Sequence, residues 1–102
     1  MAKSKIPVAC SLNDAEFRKR REEVLNEIKD GISETAELKN GFVFSFPKED
    51  LWIQRLAEMI ILERACCPFI NFKLSIEPHQ DSIKLFLTGP KGTKEFVSAL
   101  FV

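Results

Sequence analysis

The chain has 102 residues, 15 Lys and Arg against 15 Asp and Glu, a formal net charge of zero and a hydrophobic fraction of 45%. This charge balance lacks the basic footprint of a general nucleic-acid binder, and no apolar run approaches the ~20 residues that span a bilayer. The length is short for a dinucleotide-binding fold and no glycine fingerprint is present.

Area scaling buries about 65% of the unfolded surface of a chain this size, which is enough for one core and not for two. Residues 1–102 therefore read as a single domain, and an elaborate enzyme is disfavoured. Three cysteines, beside one histidine, nine phenylalanines and no tyrosine, are the features to follow. At the amino terminus Lys3 and Lys5 precede Ile6-Pro7-Val8-Ala9-Cys10. A secretory apolar segment needs ~7–15 residues, and Pro7 interrupts only four. The expected location is cytoplasmic, with reduced thiols, and an odd cysteine count fits a disulfide scaffold poorly.

The first helix starts at Ser11-Leu12-Asn13-Asp14-Ala15-Glu16, where Asn13 can cap and Glu16 follows three residues later. Phe17, Val24, Leu25, Ile28 and Ile32 then recur at helical spacing, and Gly31 marks the end. Arg18-Lys19-Arg20-Arg21 is followed at once by acids and reads as a solvated face. Two β-rich runs, 35–38 and 42–46, flank Lys39-Asn40-Gly41, and Asn-Gly between such runs is a strong hairpin signal. Pro47 closes the second run.

A second helix is expected over 48–67, with Glu49 and Asp50 in its first turn and Pro68 ending it. Residues 70–76 alternate apolar and polar, so one face of that strand is buried. Pro78-His79-Gln80-Asp81 is turn chemistry, and 83–87 form the returning strand. Gly89-Pro90-Lys91-Gly92 turns into a closing helix over 93–101, with Phe96, Val97, Leu100 and Phe101 on one face. The order α-β-β-α-β-β-α implies an α+β two-layer sandwich, with a four-stranded antiparallel sheet covered by helices on one face.

On a wheel of about 100° per residue, Trp52, Ile53, Leu56, Met59, Ile60, Cys66 and Cys67 share a broad face of the second helix. Glu63 falls in its middle. An unpaired buried charge costs several kcal/mol, so this carboxylate needs a cation, a proton or a site. Arg21 lies inside the apolar stripe of the first helix, and an Arg21–Glu63 pair across the helix interface is the expected resolution. Ile61 and Leu62 fall on the opposite side and offer a second contact surface.

Cys66-Cys67 admits several readings. Free cysteine can simply be a small buried hydrophobe. Redox dithiols favour Cys-x-x-Cys at a helix N-terminus, whereas these residues stand at a C-terminus, where the dipole opposes a thiolate. A disulfide between neighbours is strained. Two adjacent thiols suit a soft ion such as zinc, copper or a heavy metal, with Cys10 and Glu63 as further ligands. His79 reads as a solvated turn residue. With no second histidine, Cys–His or Ser–His catalysis has little support.

Cys10-Ser11-Leu12, Asn40-Gly41-Phe42, Glu63-Arg64-Ala65-Cys66-Cys67-Pro68-Phe69 with Phe72, and Thr88-Gly89-Pro90-Lys91-Gly92 resemble a group of small bacterial proteins sharing a Glu-Arg-x-Cys-Cys-Pro-Phe segment. The resemblance spans nearly the whole chain and carries no activity with it. It implies that Glu63 and the cysteines form one constellation.

The leading expectation is a cytoplasmic thiol protein that binds a soft metal or metalloid through Cys66 and Cys67, with Cys10 or Glu63 as a further ligand. It involves neither nucleic acid nor membrane. A non-catalytic interaction module, homodimeric through the phenylalanine-rich sheet or the long helix, is the alternative. A thiol-dependent enzyme with Glu63 as a proton-transfer group is the third.

Overall fold

The computed structural model describes residues 15–102. Cys10 and the expected cap Asn13 lie outside the described residues. The elements follow the expected order: α1 (Ala15–Asp30), β1 (Glu34–Leu38), β2 (Gly41–Pro47), α2 (Asp50–Cys66), β3 (Asn71–Ser75), β4 (Ser82–Thr88) and α3 (Thr93–Phe101). The strands form one antiparallel sheet in the order β1-β2-β4-β3, so the two hairpins meet along their second strands.

Strand periodicity explains the core. Phe42, Phe44 and Phe46 on β2 and Ile83, Leu85 and Leu87 on β4 are all buried and lie in register, Phe42 opposite Leu87, Phe44 opposite Leu85 and Phe46 opposite Ile83. The helices close over this face. Phe44 meets Phe101 of α3 at a ring separation of 5.3 Å, and Phe46 meets Trp52 of α2 at 5.7 Å. Each such side chain contributes roughly 1.5–3 kcal/mol by leaving water. The alternate residues Val43, Lys84 and Phe86 lie on the other face and keep part of their surface.

Three glycines act through space or backbone angle. Gly92, at φ 99°, starts α3 in the left-handed region that side chains rarely adopt. At Gly31 an added Cβ would stand 2.0 Å from the Trp52 ring, so Gly31 both follows α1 and makes room for α2. The β1–β2 hairpin forms as expected, with Gly41 in the strand rather than in the turn. The connection is Lys39-Asn40, with Leu38 paired to Gly41, and Gly92 is the only residue with positive φ among the described residues. The turn is therefore not the primed Asn-Gly type. Gly41 instead allows close approach, because a Cβ there would stand 1.9 Å from the backbone oxygen of Leu87.

Helix α2 begins at Asp50 rather than residue 48, with Glu49 as its extended N-cap residue. Its Trp52, Leu56, Met59, Glu63 and Cys66 are buried, and Ile61 is 66% exposed, as the wheel requires. Helix α1 packs on α2 through Val24, Leu25 and Ile28. No helix among the described residues is long and apolar enough to cross a membrane.

Candidate functional site

The charged residues that each helix places on its apolar stripe do meet. Arg21 Nε donates to Glu63 Oε2 at 2.6 Å, and Arg21 Nη2 donates to Glu63 Oε1 at 3.1 Å. This is the two-pronged fit of a guanidinium on a carboxylate. The Glu63 side chain is 2% exposed and that of Arg21 16%. On the solvent side of the same interface Arg20 pairs with Glu58. Two ion pairs of the same polarity thus fix how α1 lies on α2.

The buried pair extends to sulfur. Cys67 follows Glu63 by four residues, and its backbone N–H closes the last turn of α2 on the Glu63 carbonyl at 2.6 Å. The Cys67 Sγ then lies 3.6 Å from Glu63 Oε1, to which its S–H donates, and Arg21 Nη2 donates toward the same sulfur at 3.8 Å. Guanidinium, carboxylate and thiol therefore form one cluster. Sequence reasoning placed Glu63 and Cys67 on one face and grouped them as candidate co-ligands, but did not foresee the direct thiol–carboxylate contact, for which their i, i+4 spacing was the available signal.

Burial pushes the Cys67 thiol up to about 12, and the negative charge of Glu63 pushes the same way, with Arg21 opposing both. For Arg21, burial favours the neutral form, but the hydrogen bond and charge of Glu63 outweigh it and the net direction is up. At neutral pH the cluster holds one ion pair and one neutral thiol.

Cys66 is also completely buried, but it is held in a disulfide, and Cys67 is the free cysteine among the described residues. The expected state, with every thiol reduced, does not describe Cys66. Residue counting reports how many sulfurs a chain has, not which lie within bonding distance. Among the described residues, no group of three or more His, Cys, Asp and Glu side chains is gathered closely enough to hold a metal ion. Glu63 is already engaged by Arg21 and Cys67. Exposed His79 lies in the β3–β4 turn.

That turn carries a feature without a local sequence signal. Lys48 Nζ donates to the carbonyls of Glu77, Pro78 and Gln80 at 2.8, 3.3 and 3.0 Å. The lysine at the start of the α2 segment thereby anchors a hairpin about 30 residues away. No family model matches the chain, and neither a curated protein nor a solved structure matches it.

Proposed function

We propose that this is a thiol protein that captures a soft, thiophilic metal ion between Cys66 and Cys67 when Cys66 is reduced. The supporting observation is the Arg21 guanidinium set 3.8 Å from the buried Cys67 sulfur, in the partly buried interface of α1 and α2. A buried thiolate needs a positive neighbour, and Arg21 is already in place. Glu63, which accepts the Cys67 S–H, supplies the first acceptor for the proton that a binding metal displaces.

Two sulfurs, with no third ligand gathered among the described residues, favour an ion content with two thiolates, such as copper(I) or a heavy-metal cation. Structural zinc takes four ligands and fits less well. Within this reading Glu63 acts on the proton and the charge rather than on the ion. The conditional third thiol, Cys10, lies outside the described residues.

The pKa of Cys67, about 12, opposes the thiolate for catalysis and metal ligation alike. A binding metal displaces the proton itself, whereas a nucleophile must be a thiolate before it attacks, so the value weighs more against thiol-dependent catalysis. A purely architectural role for the cluster is the second reading, favoured by the two-pronged Arg21–Glu63 pair. Metal analysis of protein purified and loaded under reducing conditions separates them. Soft-metal capture predicts about one copper(I) per chain, lost in the Cys66→Ser/Cys67→Ser variant. Equal copper in both proteins would leave the architectural role standing alone.

A further inference from the structure

Beyond the thiol cluster, on the outward side of the same helix end, a cleft of about 420 Å³ opens between α2 and β3. Ile60 and Arg64, one turn apart on α2, form one wall, and Pro68, Ile70, Asn71 and Phe72 form the other. Ile70 is buried and Ile60 and Phe72 half-buried, so these three side chains give the cleft a hydrocarbon part beside the polar Arg64 and Asn71. Neither Cys66 nor Cys67 lines it, and β3 is an edge strand, so no further strand of this sheet covers that side.

Three of the five arginines are already engaged, which leaves Arg18 and Arg64. Arg20 and Arg21 are both committed to carboxylates, and Arg55 lies over the Trp52 ring. Arg64 is exposed and has no ion-pair or hydrogen-bond partner among the described residues. A planar guanidinium above an apolar floor, with the Asn71 amide beside it, matches a ligand with a carboxylate at one end and hydrocarbon at the other. The volume falls within the roughly 300–1,000 Å³ typical of small-molecule sites.

We infer that this cleft binds a small carboxylic acid with an apolar tail, the carboxylate on Arg64 and the tail against Ile60, Ile70 and Phe72. The site is independent of metal capture.

Octanoate is the test probe, followed through the backbone amide resonances of the intact chain, with octylammonium as the charge-reversed control. The inference predicts saturable shifts at Arg64, Ile70, Asn71 and Phe72, at least about tenfold weaker binding in Arg64→Gln, and no saturable octylammonium binding there. Because Arg64 is exposed, the variant's unchanged spectrum elsewhere would show that it folds. Shifts that fail to saturate, equal binding by Arg64→Gln, or equal binding of octylammonium would each overturn it.

Discussion

At the scale of single residues, Glu63 decides more than any other side chain, because it holds Arg21 with both oxygens and accepts the Cys67 thiol. Replacing one partner strands the other, so Glu63→Leu alone should cost about 3 kcal/mol of folding stability. Arg21→Met with Glu63→Leu together should fall close to wild type, because two apolar side chains then fill the interface. Urea denaturation of the single and double variants measures the difference.

Thr93 is the opposite case. Its hydroxyl is buried and has no hydrogen-bond partner among the described residues, so Thr93→Val should raise stability by about 1 kcal/mol in the same assay.

Cys67 gives a pH dependence. Its folded pKa of about 12 stands above the ordinary 9.0, so the unfolded chain ionises first as pH rises. The stabilisation from the protonated buried thiol is complete below pH 9 and is lost between 9 and 12. Urea midpoints measured on both sides of pH 9 should fall more steeply for the wild type than for Cys67→Ala.

At the scale of elements, periodicity made the helices and the β4 strand legible, because each buries one face, whereas β1, exposed except for half-buried Leu38, was legible from its β-rich run beside the turn. The 3.6-residue pattern of 52, 56, 59 and 63 and the two-residue pattern of 83, 85 and 87 needed no tertiary information. Gly41 did, because its role depends on the Leu87 carbonyl, 46 positions away and invisible to turn chemistry. Gly41→Ala should therefore cost about 2 kcal/mol or more, whereas a glycine serving only a turn would cost less. The blocking atom is backbone and cannot swing aside. Thermal denaturation with amide exchange along β2 and β4 would locate the damage.

Lys48 was hidden for the same reason. Its three carbonyl partners belong to a turn that was read from its own residues alone. Lys48→Met should leave the fold intact and speed amide exchange in the 77–80 turn.

At the scale of the molecule, the sheet order and the docking of α1 on α2 bring one end of α2 into the interior, and that end carries Glu63, Cys66 and Cys67. The Arg21–Glu63 pair was legible because a charge misplaced on an apolar stripe demands an opposite one, and each helix supplied a single candidate. The bonding state of Cys66 was not legible, since neither spacing nor composition reports sulfur–sulfur distances. The cleft beside Arg64 was equally hidden, because it exists only once β3 lies along α2.

The proposed soft-ion capture by Cys66 and Cys67 draws these levels together: adjacent cysteines by sequence, burial by packing, and a guanidinium by helix docking. Copper-edge X-ray absorption on the reduced, copper(I)-loaded chain tests it most directly. Two sulfur scatterers around the metal, lost in Cys66→Ser/Cys67→Ser, are predicted. A shell of oxygen and nitrogen, or an unchanged spectrum in that variant, would contradict it.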